Sequence, residues 1–206
     1  MQSKPILKRG AEATISLGEF LGRRVVLKKR DRKQYRDRRL DARVIKTRTR
    51  NEVRSMVAAR SSGIHVPRIY DVDIADGLIV MQLIDGERLN TLLYRLNDGE
   101  RRAMERRLGS EIARLHMAGI SHGDMTTSNI IAFGDDLYFI DFSMAARPSG
   151  PEQLGVDMRL LKEVFRSSHS EFESEFAVVV EGYRQAGGDR TVIDKVSEME
   201  RRARYV

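Results

Sequence analysis

The sequence predicts an α+β fold in two lobes, an amino-terminal antiparallel sheet carrying one helix and then a reduced helical lobe. Three observations predict it. β-Prone runs at 24–28 and 78–82 flank a single long helical pattern at 42–61. Helical patterns at 89–96, 98–118, 155–167, 171–186 and 191–205 fill most of the second half. Between the second and third of them, Ile130-Ile131-Ala132-Phe133 and Leu137-Tyr138-Phe139-Ile140 read as two short strands joined by a Gly134-Asp135-Asp136 turn. The lobe boundary is expected near Asp85-Gly86, which divides the chain into 1–85 and 86–206.

The elements follow from local chemistry in chain order. Lys8-Arg9-Gly10-Ala11-Glu12-Ala13 precedes a β-prone stretch ending at Gly18, giving a strand-turn-strand unit. Arg24-Val25-Val26-Leu27-Lys28 is strongly β-prone, so Lys28 and Lys29 project from opposite faces of a strand. Asp41 is the expected N-cap of the 42–61 helix, and Gly63 stands just past its end. Ile45, Thr49, Glu52 and Met56 share one face of that helix. Val66-Pro67-Arg68 opens a strand through Asp73, and Ala75-Asp76-Gly77 turns the chain into Leu78–Gln82. Gly119 stops the 98–118 helix, where His116 reads as a packed structural histidine. Gly187 stops the 171–186 helix.

The hairpin at 130–140 carries the chemistry. His122-Gly123-Asp124-Met125-Thr126-Thr127-Ser128-Asn129 precedes it, and Asp141-Phe142-Ser143 follows twelve residues after Asn129. Phosphoryl transfer on a kinase scaffold needs a loop Asp that takes or orients a proton, an Asn five residues on and an Asp beyond a short hairpin. Asp124, Asn129 and Asp141 match in order, with Asn129 and Asp141 as the Mg²⁺ ligands and ATP as the co-substrate. The fold class thereby becomes a protein-kinase-like one.

Upstream residues supply the rest of such a site. Lys28 is the candidate for the nucleotide phosphates. Glu52 is its partner, because a carboxylate on an inward helix face needs a cation; the alternative for Glu52 is a surface salt bridge. The turn at Gly10 and Ala11 is a candidate phosphate contact, although the three-glycine pattern is absent. The strand running from Leu78 through Met81 and Leu83 offers backbone groups and the Met81 side chain to an adenine ring; its alternative is an ordinary core strand.

Composition limits the function classes. With 41% hydrophobic residues the chain buries a core, and with no cysteine it forms neither disulfides nor thiolate metal sites. No apolar run reaches membrane-spanning length, and Met1-Gln2-Ser3-Lys4-Pro5 lacks a secretion signal's apolar stretch, so a cytoplasmic protein is expected. Charge is uneven: residues 1–60 hold 19 Lys/Arg against 6 Asp/Glu (net +13), and residues 61–206 hold 18 against 24 (net −6). Twelve basic residues lie between Lys28 and Arg50; a solvated helix face explains some of them, and their density favours a polyanion, a nucleic acid held by phosphate contacts with no base-reading motif.

Several features distinguish this chain from an ordinary protein kinase. There is no Ala-Pro-Glu element, only 65 residues follow Asp141, and Gly123 stands where an arginine would answer a phosphorylated loop. The chain resembles the small atypical kinase/ATPase subunit of the KEOPS complex, the PRPK-like family. The likeness rests on Gly10-Ala11-Glu12-Ala13, Lys28-Lys29-Arg30 with Lys33, Tyr35-Arg36, Leu40-Asp41, Arg48-Thr49 and Glu52. It rests also on His122 to Asn129, Val156-Asp157 and the tail Glu200-Arg201-Arg202-Ala203-Arg204-Tyr205. The resemblance implies ATP and Mg²⁺ binding, ATPase and weak Ser/Thr kinase activity, and a place between a threonylcarbamoyl-transfer subunit and a small accessory subunit. It implies tRNA held by the basic lobe and the carboxy-terminal tail. Ser143 departs from it, standing where glycine is expected, and so narrows that loop's range. Two other classes share these motifs: a small-molecule phosphotransferase of the aminoglycoside or choline type, and a noncatalytic tRNA-binding scaffold.

Overall fold

The computed structural model describes residues 5–10 and 12–203. Strands Ile6–Arg9 (β1), Ala13–Phe20 (β2), Arg23–Arg30 (β3), Ile69–Asp73 (β4) and Leu78–Gln82 (β5) form an antiparallel sheet in the order β1-β2-β3-β5-β4. β3 is central, with Lys28 opposite Ile15 on one side and Ile79 on the other. The two-residue period sets its faces. Val25 and Leu27 pack with Val80 in a small outer cluster. Lys28 and Arg30 therefore project from the opposite face, where both side chains are buried against helix Arg38–Ser61 (α1).

That helix begins earlier than the sequence suggests. Asp37, not Asp41, is its N-cap, and its side chain accepts the N–H groups of Arg39 and Leu40. Asp41 is instead buried in the first turn, where it accepts the Lys33 N–H at 3.3 Å and faces Arg36 at 3.6 Å. An acid there also complements the positive end of the helix dipole. Buried Ile45, Thr49, Glu52, Met56 and Ala59 form the inward stripe, and Gly63 follows the end in the left-handed region.

The remaining elements are Glu87–Arg88 (β6), Leu89–Leu92 (α2), Asp98–Met117 (α3), Ile130–Phe133 (β7), Asp136–Phe139 (β8), Pro151–Ser168 (α4), Phe176–Gln185 (α5) and Arg190–Ala203 (α6). A reciprocal capping box between Asn97 and Glu100 starts α3. Leu108, Ile112 and Leu115 on α3 pack with Met158, Leu161 and Phe165 on α4 and Val179 and Tyr183 on α5 in one core. α3 and α5 touch backbone to backbone. A Cβ at Gly109 would lie 1.9 Å from the Val179 carbonyl oxygen, and one at Gly182 would lie 1.9 Å from that of Arg106.

Other boundaries differ from the sequence pattern for local reasons. Residues 66–68 lie outside the ladder of β4, although the Arg68 carbonyl accepts the Gln82 N–H at 2.8 Å. The helix expected over 89–96 stops at Leu92, and its approach, Glu87–Arg88, pairs with β7 instead. α4 begins four residues early because Pro151 occupies a first-turn position, where its missing N–H costs nothing. The 171–186 pattern breaks into a 3-10 segment, Ser170–Glu175, with a non-helical Phe172, and then α5. The helical tail is described to Ala203, and Arg204-Tyr205 lie outside the described residues. Among the described residues no helix is long and apolar enough to cross a membrane.

Candidate nucleotide site

Three chain segments meet under the sheet. From β3, the Lys28 ammonium donates to Glu52 Oε1 of α1 at 2.5 Å, to Asp141 Oδ1 at 2.7 Å and to Ser143 Oγ at 2.8 Å. These acceptors take all three of its N–H groups. Lys28 and Glu52 are 4% and 1% exposed, which excludes the surface salt bridge as the role of Glu52. Lys29, on the other face, pairs with Asp76 at the surface.

The hairpin folds Asp141 back beside Asn129. Ile130 pairs with Phe139, and the Ile140 N–H donates to the Asn129 carbonyl at 2.9 Å. A 3-10 turn, Thr127–Asn129, turns the Asn129 side chain toward Asp124. Its Nδ2 donates to the Asp124 carbonyl at 2.9 Å and to Asp124 Oδ2 at 2.8 Å. With Nδ2 so engaged, Oδ1 is the amide atom left to accept or to ligate.

Asp141 adopts a left-handed backbone, φ 63° and ψ 66°, rare for a residue with a side chain and a form of strain that concentrates at functional sites. Burial by itself raises its carboxyl pKa. The Lys28 charge and hydrogen bond, with the Ser143 hydroxyl and N–H, outweigh burial and hold it well below the usual range. Ser143 lies in the right-handed 3-10 turn Phe142–Met144, so no glycine is needed for backbone reasons. Its hydroxyl donates to Asp141.

A support missed in the sequence holds the Asp124 loop. Asp157, near the start of α4, is fully buried and accepts the main-chain N–H groups of His122 and Gly123 at 2.7 Å each. Its Oδ2 also lies 3.2 Å from His116 Nε2, and His116 Nδ1 lies 3.0 Å from the Tyr183 hydroxyl. His116 is thus packed and structural. The sequence marked Asp157 only as part of a resemblance, since its partners lie 34 and 35 residues away. His122 bridges the loop to the hairpin through Ile140 O at 3.1 Å, and burial lowers its pKa, which favours the neutral ring. Gly123 has φ +77°, and a Cβ there would lie 2.3 Å from the Met144 carbonyl oxygen. Close approach, and not merely the loss of an arginine, dictates the glycine.

The other candidates lie on the sheet and its connections. Gly10 lies in the β1–β2 turn, and Ala11 lies outside the described residues. Met81 is buried on β5 opposite Val26, and Leu83 follows the strand half-buried. The basic segment divides in two. Lys28, Lys29, Arg30, Arg36 and Arg48 are ion-paired within the fold. Arg39, Arg43, Lys46, Arg50 and Arg54 are exposed on α1 at spacings of four, three, four and four, a continuous cationic stripe.

The donor set suits magnesium carried by phosphates. Asn129 Oδ1 and the Asp141 carboxylate are hard oxygens, and the Asp141 side chain remains 40% exposed. Among the described residues no group of three or more His, Cys, Asp or Glu side chains is placed to hold a metal ion. A two-ligand site of this kind binds Mg²⁺ together with substrate phosphates, not as a protein cage.

Comparison with known proteins places the chain. A family model described as the RIO domain matches residues 15–178. The chain is 40% identical to the KEOPS complex subunit Bud32 of Pyrococcus abyssi, over 97% of this chain and 96% of that protein. It is 38% identical to a probable bifunctional tRNA threonylcarbamoyladenosine biosynthesis protein of Methanothermobacter thermautotrophicus, over 97% of this chain but only 36% of that longer protein. Its fold matches the Rio2 kinase of Chaetomium thermophilum, solved as an ADP/Mg²⁺-phosphoaspartate complex. The TM-score is 0.63 at 18% identity, covering 98% of this chain and 71% of the other.

Proposed function

The chain belongs to the RIO-domain family and, within it, to the Bud32 relatives, and from that premise we propose that it is an Mg-ATP-dependent phosphotransferase or ATPase that supports tRNA threonylcarbamoyladenosine modification as a KEOPS subunit. One observation supports the chemistry above the rest. Lys28, Glu52 and Asp141, from β3, α1 and the end of the β7–β8 hairpin, meet within hydrogen-bond distance, and Asn129 joins Asp124 beside them.

Each side chain then has a role. Lys28 exchanges an internal acceptor for a phosphate oxygen, while Glu52 keeps the ammonium aimed at the cleft. Asn129 and Asp141 hold Mg²⁺, which when bound neutralises phosphate charge in transfer. Asp124, aligned by the Asn129 amide, accepts or orients the proton of the attacking hydroxyl or water. Met81 and Leu83 line the adenine end. The cationic stripe on α1 holds the tRNA backbone by phosphate contacts.

Turnover of ATP by purified protein, alone and with a transfer subunit and tRNA, tests the reading with Asp124→Ala and Asp141→Ala alongside. Loss of Mg²⁺-dependent turnover in both variants supports it. Turnover unchanged in both, with tRNA binding intact, refutes it in favour of a scaffold. Stoichiometric phosphorylation of an aminoglycoside or amino alcohol refutes the KEOPS role.

A further inference from the structure

The turn between β1 and β2 has Gly10 but not the three-glycine pattern that usually lets a backbone follow phosphates, yet it is tied at several points. The Gly10 N–H donates to the Ala13 carbonyl at 2.9 Å, and the Asp31 N–H donates to the Glu12 carbonyl at 3.1 Å. The Glu12 side chain reaches α1, where it pairs with the Arg48 guanidinium, and its Oε2 lies 3.7 Å from Arg30 NH1.

Arg30 is the link. It is 4% exposed, and its NH2 donates to Glu52 Oε2 at 2.6 Å. Lys28 and Arg30, two residues apart on one face of β3, thus take the two oxygens of a single buried carboxylate. Lys28 also has Asp141, whereas Arg30 shares Glu52 with it; a buried guanidinium short of anions is costly in a low dielectric, and Glu12 supplies Arg30 with a second carboxylate. The Arg48 hydrogen bond first, then the charges of Arg48, Arg30 and Arg36, hold its carboxyl below the usual range against the opposing effect of burial. An unbroken chain of charge runs from Arg48 through Glu12, Arg30, Glu52 and Lys28 to Asp141.

We propose that Glu12, held by Arg48 and Arg30, is a positioning residue that fixes the end of the β1–β2 turn against α1 and couples it to the Glu52–Lys28 pair, doing by ion pairing what glycines do elsewhere by backbone freedom. The coupling rests on the nucleotide reading above; the tether itself is independent of it.

The test uses full-length Glu12→Gln, Arg48→Gln and the double variant. Glu12 and Arg48 side chains are 43% and 39% exposed, so the fold survives both changes. Amide hydrogen exchange at Gly10 and Asp31 is read without nucleotide, and Mg-ATP binding by equilibrium titration. Each single variant is expected to speed exchange at these amides and weaken Mg-ATP binding, each by roughly fivefold, the upper range for an exposed ion pair. The double variant is expected to be no worse than the weaker-binding single one, because both remove the same ion pair. Exchange and binding at wild-type levels in Glu12→Gln, or additive losses in the double variant, would overturn the proposal. If exchange quickens while wild-type protein takes up no Mg-ATP, the tether stands and both the coupling and the nucleotide reading fall.

Discussion

The Lys28 ammonium stands 2.7 Å from the carboxylate of Asp141, a residue 113 positions further along the chain. One side chain belongs to the sheet and the other to the end of a hairpin in the helical lobe, so this pair joins the two halves across the cleft. Lys28→Met is expected to raise the Mg-ATP dissociation constant at least tenfold, and Asp141→Asn to cut Mg²⁺-dependent turnover by about 10²-fold or more, the loss typical of a group acting on transferring charge. Titration and single-turnover measurements check the two separately. Retention of both activities would break the site assignment.

Asp157 is expected to govern the proposed catalytic loop through the His122 and Gly123 main chain. Asp157→Ala removes the acceptor of two buried main-chain N–H groups and of His116, with a cost of about 1–3 kcal/mol for each donor left unpaired. Denaturant unfolding checks the loss of stability. In whatever fraction stays folded, turnover should fall more than Mg-ATP affinity, because Lys28 and Asp141 are untouched.

Gly123 admits no side chain. Gly123→Ala combines a left-handed φ of +77° with a Cβ 2.3 Å from the Met144 carbonyl oxygen, and should cost more than the ~1 kcal/mol of the conformational penalty alone. A melting temperature equal to wild type would show that the Met144 segment yields freely.

Glu105 gives a pH signature far from the site. It is fully buried on α3 beside Glu175. Burial first, then the neighbouring Glu175 charge, raise its pKa to about 8, with Arg101 and Arg102 opposing. The folded chain therefore keeps a proton that the unfolded chain releases near its ordinary value. Stability falls as pH rises from there to about 8, then levels off. Glu105→Gln should remove this slope, so that its melting temperature exceeds that of wild type by several degrees at pH 8, at about 2–4 °C per kcal/mol. Parallel melting curves across pH would refute the assignment.

The stripe on α1 predicts a salt dependence. Replacing Arg39, Arg43 and Arg50 together with Ala should weaken tRNA binding at low salt and reduce the slope of log affinity against log salt by roughly one for each phosphate the stripe no longer neutralises. Arg36, half-buried beside Asp41, is a poor choice for this test, because its replacement disturbs the start of α1.

Much of the candidate site's geometry is legible because its signals are local. Asp124, Asn129 and Asp141 lie within eighteen residues, and a hairpin of that length has few ways to close. Glu52 was readable from helical spacing, and Lys28 from a strand's alternation. Element ends were less so: Asp37 outcompeted Asp41 as cap because only its side chain faces the free N–H groups, while Asp41 was drawn inward by Arg36 and the Lys33 N–H.

Sequence by itself settled the residue types and their order: a strand lysine, a helix glutamate, an Asp-Asn pair and a second Asp past a turn. Periodicity and short spacing encode such things directly. Tertiary structure alone decided which of the clustered cations face solvent and which are spent inside the fold. It also decided that Arg30 shares Glu52 with Lys28, that Asp157 holds the His122–Gly123 main chain, and that Asp141 and Ser143 both meet the Lys28 ammonium. A charge's partner depends on which chain segments pack together in three dimensions, and one-dimensional spacing does not record distances between segments a hundred residues apart.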